Sequence, residues 1–110
     1  MITIHQQPEA STAHFTVSGD LDVFGALTLR RGLNSASETC ADLRVDLADV
    51  EFVDVSALGV MARTWGDLTA RPGTSVRLVG TSRQVRALRK AAGLVRLLPD
   101  AVDDALPRGA

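Results

Sequence analysis

The chain has 110 residues, 45% of them hydrophobic, with 12 basic against 13 acidic side chains and a net charge of -1. That length builds one core of ordinary size and not two, and a mean hydropathy of +0.11 with that apolar share excludes a disordered chain. The balanced charge supplies no positive field to hold a phosphate backbone, which argues against nucleic acid as a direct partner.

In chain order, Ile2 and Ile4 begin a short strand. Phe15 and Val17 alternate with Thr16 and Ser18 in a second strand, bounded by Gly19-Asp20, and the two strands are expected to pair. Ala26, Leu29, Leu33 and Ala36 fall at i, i+3, i+7 and i+10, one face of a first helix, with Asp22 placed to cap it. Leu43, Val45 and Leu47 alternate with Arg44 and Asp46 in a third strand that Asp46-Leu47 closes.

The run FVDVSALGV, Phe52 to Val60, then turns an apolar extended segment into a helix. Leu58, Met61, Ala62, Trp65 and Leu68 form its apolar stripe, and Ser56, just before that stripe, is expected to be the N-cap. A hydroxyl there lies beside the free N–H groups and positive end of the helix, a place that tolerates a phosphate. Arg71-Pro72-Gly73 is a turn, Val76 to Val79 a fourth strand ended by Gly80, and Ser82 the cap of a third helix with Val85, Leu88 and Ala92 inward and Gly93 as its stop. Arg83, Arg86, Arg89 and Lys90 give that helix a basic face that is expected to be solvated. Residues 99–110 read as a short terminal helix near Asp103-Asp104 and a loose tail. Strands alternating with helices predict an α/β sheet, with parallel crossovers following the third strand.

Enzyme chemistry finds little support. His5 and His14 are the only histidines, and no Ser sits in a GxSxG elbow. There is no glycine-rich phosphate loop of the dinucleotide or Walker kind. One cysteine, Cys40, excludes an internal disulfide and a cysteine metal cage; it reads as a small buried residue. The expectation is therefore no catalysis, no metal and no cofactor. With no signal peptide and no membrane-length apolar run, the expected location is the cytoplasm, without membrane insertion. A phosphorylated receiver domain has similar length and class, but it needs a Lys after a late strand where this chain has Gly80-Thr81-Ser82.

The segment VDLADVEFVDVSALGVM, Val45 to Met61, resembles the STAS family, whose soluble members include the bacterial anti-sigma factor antagonists. There a strand ending in Asp-Leu is followed by an apolar pair, then Asp, a hydroxyl residue, a Ser or Thr that becomes phosphorylated, Gly, Leu and Gly. Asp46-Leu47, Phe52-Val53 and Asp54-Val55-Ser56-Ala57-Leu58-Gly59 match that order, with Val55 in place of the hydroxyl residue and Ala57 in place of the first Gly. Ala57 adds a methyl where a kinase is expected to approach the backbone closely. Gly19 to Asp22 (GDLD) and Val76 to Leu94 look like further family elements, so the resemblance spans nearly the whole chain.

The resemblance implies a single STAS domain over 1–110, with a mixed sheet of four to five strands and three to four helices packed mainly on one side. It implies an anti-sigma factor antagonist that binds an anti-sigma factor with serine kinase activity and so releases a sigma factor. Ser56 is then the phosphoacceptor, a serine phosphatase resets it, and Asp22, Asp54, Val55, Ser56, Ala57 and Gly59 form the partner surface. The alternative is an accessory subunit of a membrane lipid or anion transport system, with Ser56 only a cap or contact residue.

Overall fold

A computed structural model of the chain describes residues 2–100. Four strands, β1 (Ile2–Glu9), β2 (Thr12–Leu21), β3 (Asp42–Val53) and β4 (Ser75–Thr81), form one sheet in the order β1-β2-β3-β4. Three helices, α1 (Val23–Ala36), α2 (Val55–Thr69) and α3 (Arg83–Ala91), complete the described elements. The terminal helix expected near Asp103-Asp104 lies outside the described residues.

β1 and β2 are an antiparallel hairpin, whereas β2, β3 and β4 run parallel. Parallel pairing therefore begins one strand earlier than the sequence suggested, because α1 returns the chain to the start of the sheet before β3. Right-handed crossovers that step in one direction across the sheet put α1 and α2 on the same face. That face carries Phe15, Val17, Val45, Leu47, Val76 and Leu78, all buried, and its helical cover is Ala26, Leu29, Leu33 and Ala36 from α1 and Leu58, Met61, Ala62, Trp65 and Leu68 from α2. Every apolar position expected on those two helical stripes is buried. α3 adds Val85, with Leu88 half-buried against the same core, and Cys40 is buried. The other sheet face is polar, with half-buried Thr16, Arg44 and Asp46.

β3 is longer than the alternation from Leu43 to Leu47 implied. It continues to Val53, because Ser18–Leu21 of β2 offers backbone partners to Asp49–Val53, and register shifts in both stretches absorb the break in alternation. Gly19, at φ 90, sits at one of those shifts, where an L side chain is strained.

α3 ends as the sequence indicated. Gly93 takes φ 73, its N–H reaches Lys90 O at 3.1 Å, and Leu94 N–H reaches Arg89 O at 2.9 Å, the paired bonds of a Schellman stop. The basic face of α3 departs from expectation at one residue. Arg89 is 6% exposed, donating to Leu98 O at 2.9 Å and to both Asp100 carboxylate oxygens at 3.0 and 3.1 Å. Helical rotation puts Arg89, four residues after Val85, on the buried side, and the chain returning from α3 supplies its partners. Leu98 is buried there, and Asp100 bridges Leu78 on the outer edge of β4.

Candidate functional site

The site is built where β2 and β3 end. Leu21 pairs with Val53 in the final register position, and Asp54 N–H reaches Leu21 O at 3.4 Å, so the two strands finish side by side. An Asp follows each. Asp22 is the N-cap of α1, its Oδ1 accepting from Gly25 N–H at 2.8 Å. Asp54 is the N-cap of α2, its Oδ1 accepting from Ala57 N–H at 2.8 Å. Both backbones are extended, with φ -99 and -110, the geometry of a cap.

Ser56 is thus not the cap of α2. It is the second residue of the helix, and Asp54 caps instead, because its carboxylate sits three residues before the N–H that a cap side chain must reach. With Asp54 as the cap, the serine is left without a capping role. Its side chain is exposed at the positive end of a 15-residue helix.

The residues around Ser56 divide by burial. Val55 is 53% exposed beside it, and Gly59 is exposed, with open space where a Cβ would stand. Ala57 is fully buried, so its methyl faces the core and not an approaching kinase, contrary to expectation. Helical geometry explains the split: Ala57 is one residue before Leu58 and four before Met61, which places it on the core-facing stripe, while Ser56 and Gly59 stand one turn apart on the outer side.

Two residues not expected from the sequence belong to the same end of the sheet. Phe24, two residues after Asp22, is 74% exposed, and Phe52, two residues before Asp54, is 55% exposed. Phe52 was visible as half of an apolar pair. Its outward aim follows once β3 runs to Val53, since Val53 is buried and side chains alternate. Phe24 lies off the buried α1 stripe of Ala26, Leu29 and Leu33, and that phase was the available signal. Each is a large apolar side chain that the folded chain leaves in water.

Two other carboxylates lie further back along the strands. Asp49 lies within β3 opposite Ser18, where it lines a polar groove of about 580 Å³ with Glu51, Ser82 and Gln84. Asp20 is in β2, paired with Phe52. Among the described residues, no three His, Cys, Asp or Glu side chains stand close enough to hold a metal ion, and no helix is long and apolar enough to cross a membrane.

A sheet of this order, with helices on one face and a capped helix presenting an exposed serine, defines a class of small α/β domains. The chain belongs to the STAS domain family, which it matches over residues 1–105. It is 30% identical over 93 residues to the anti-sigma-B factor antagonist of Bacillus subtilis, covering 84% of each chain. Among solved structures, an anti-sigma factor antagonist from Mycobacterium paratuberculosis superposes with a TM-score of 0.78 at 25% identity, over 98% of this chain and 93% of that one. SpoIIAA in its unphosphorylated form superposes at 0.72 and 20% identity, over 97% and 96%. The Bacillus cell fate determinant SpoIIAA in its phosphorylated form gives 0.68 and 19%, over 98% and 100%. These last two likenesses are of fold.

Proposed function

We propose that this protein is an anti-sigma factor antagonist, that its partner is an anti-sigma factor with serine kinase activity, and that Ser56 is the residue the kinase modifies. The observation that carries the reading is the division of labour at the start of α2. Asp54 caps the helix, so the hydroxyl of Ser56 has no structural duty there and stands in solvent. The names of the relatives, matched along most of their length, agree with an antagonist, which favours that reading over a transporter subunit. A cytoplasmic location goes with that role.

The partner surface is Asp22, Asp54, Val55, Ser56 and Gly59, extended by Phe24 and Phe52. Ala57 contributes only through the backbone, because its side chain is buried. The kinase brings ATP and magnesium in its own site. Unphosphorylated protein occupies the kinase and releases the sigma factor; phosphorylation ends that occupancy, and a serine phosphatase restores it.

The chemistry is electrostatic. A phosphate on Ser56 adds about -1.5 to -2 charges at neutral pH. The helix N-terminus accommodates them without unfolding, through the N–H groups of the first turn. The partner meets a doubly charged group beside Val55 and Phe52, where an apolar contact excluded water before. Desolvating that charge opposes binding.

The test is to incubate the purified protein with ATP and its cognate anti-sigma kinase and to locate phosphate by mass spectrometry. One phosphate on Ser56 is expected. Phosphate on a different residue, or none with a kinase proved active on itself or another substrate, ends this reading.

A further inference from the structure

The net charge of -1 hides a segregation along the chain. Residues 1–67 hold ten of the thirteen acids against four bases, whereas residues 68–99 hold seven bases and no acid. α3 concentrates those bases. It carries no acidic side chain, and Arg83, Arg86 and Lys90 stand at i, i+3 and i+7, all exposed, opposite the face that buries Val85 and Arg89. The stripe they form is about 10 Å long at 1.5 Å per residue. Among the described residues, Arg89 alone of the α3 bases meets a carboxylate, that of Asp100. None lies within ion-pair distance of Arg83, Arg86 or Lys90 there, and the bond from Arg86 to Thr81 O at 2.6 Å leaves its charge in place.

The chain after α3 continues the basic run and adds apolar groups to it. Leu97 N–H and Leu98 N–H both reach Leu94 O, at 3.1 and 2.9 Å, which folds 94–98 into one turn. Leu98 is buried, but Val95 is 46% exposed and Leu97 57%, with exposed Arg96 between them in sequence. A row of unpaired bases is complementary to a polyanion. The aliphatic pair chooses among polyanions. A nucleic acid is met by charge and by aromatic stacking, and this run of bases holds no aromatic residue from Leu68 to Pro99. An anionic bilayer takes cations at its headgroups and aliphatic side chains at the boundary with its acyl chains. The outer side of a helix, convex and without a cleft, also suits a flat, fluid surface.

We propose that α3 and the turn after it are a peripheral docking surface for a membrane leaflet rich in anionic phospholipid. Arg83, Arg86, Lys90 and Arg96 meet headgroup phosphates, and Val95 and Leu97 enter the boundary between headgroups and acyl chains. Each base near such a leaflet strengthens binding about fivefold, so four acting together give about 10²–10³-fold over a neutral leaflet. Salt screens that gain. None of these residues belongs to the proposed kinase surface, so the docking surface does not depend on Ser56.

Co-sedimentation of the full chain with vesicles tests this. Vesicles of equal parts phosphatidylcholine and phosphatidylglycerol are expected to carry the protein down at low salt, and vesicles of phosphatidylcholine alone to leave it in solution. The double variant Arg83→Gln, Lys90→Gln is expected to bind the mixed vesicles about 25-fold more weakly. Its melting temperature is expected to hold, since both side chains are exposed. The double variant Val95→Ser, Leu97→Ser is expected to bind them about tenfold more weakly. Absence of binding to the mixed vesicles, or binding unaltered by the glutamine pair, overturns the docking surface. Full binding by the serine pair overturns the choice of lipid among polyanions. Duplex DNA or polyglutamate held through Arg83 and Lys90, with the vesicles left unbound, overturns it in favour of a nucleic acid or an acidic protein.

Discussion

Asp22 and Asp54 are the same device used twice, on neighbouring strands. Each follows a residue of the Leu21–Val53 pair, and each accepts the N–H three residues ahead at 2.8 Å. The caps thereby fix where two helices start relative to one end of the sheet. Ser56, Phe24 and Phe52, all exposed, lie within two residues of one or the other cap.

Replacing either cap tests this. Asp54→Ala is expected to cost about 1 kcal/mol of folding stability, and Asp22→Ala a similar amount. Urea denaturation of both variants and the double variant measures the values. If the two caps act independently the losses add within about 0.5 kcal/mol.

Ser56 behaves differently because it does not cap. Ser56→Ala is expected to leave stability within about 0.5 kcal/mol of wild type, while abolishing phosphorylation and making kinase binding persistent. Ser56→Asp is also expected to fold, with a favourable charge in the first helical turn, yet to bind the kinase much more weakly. Calorimetric titration of each against the kinase checks this; equal affinity for Ala and Asp variants means the charge is not what the partner reads.

Gly59 separates folding from recognition in one substitution. A methyl there meets nothing within 4 Å, so Gly59→Ala is expected to stabilise the chain by about 1 kcal/mol through helix propensity. On the proposed surface the same methyl stands between chain and partner, and affinity falls. A variant that melts higher and binds as well as wild type removes Gly59 from the surface.

The exposed aromatic pair gives a further prediction. Phe24→Ser and Phe52→Ser remove apolar area that the folded monomer leaves in water, so melting temperatures are expected to change little. Kinase affinity is expected to drop by about tenfold or more for at least one of them, as for aromatic anchors at other interfaces. Unchanged affinity in both moves the partner surface elsewhere.

Arg89 and Arg86 lie on one helix but answer to different environments. Arg89→Ala strips a buried guanidinium from Leu98 O and Asp100, and Asp100 is 44% exposed on its side chain, so water compensates part of the loss. About 2 kcal/mol is expected. Arg86, exposed and bonded to Thr81 O at 2.6 Å, is expected to cost under about 1 kcal/mol. Thermal unfolding of the two variants decides it.

Much of this molecule is settled by its sequence alone. The stripes Ala26-Leu29-Leu33-Ala36 and Leu58-Met61-Ala62-Trp65-Leu68 are buried as their period requires, since helical repeat is a local property that no distant contact alters. The caps Asp22 and Ser82, the stop at Gly93 and the family motif around Ser56 were legible for the same reason: each depends on residues within four positions of itself. Tertiary structure decided the rest. Whether Asp54 or Ser56 capped α2 turned on where β3 ended, and β3 ran to Val53 because β2 offered backbone partners that no local pattern in Ala48–Phe52 announces. Arg89 reads as one more solvated base until the returning chain brings Leu98 O and Asp100 to it. The outward aim of Phe52 belongs to this second kind. A side chain's surroundings are set by which elements meet, and that meeting is a long-range event the local sequence does not encode.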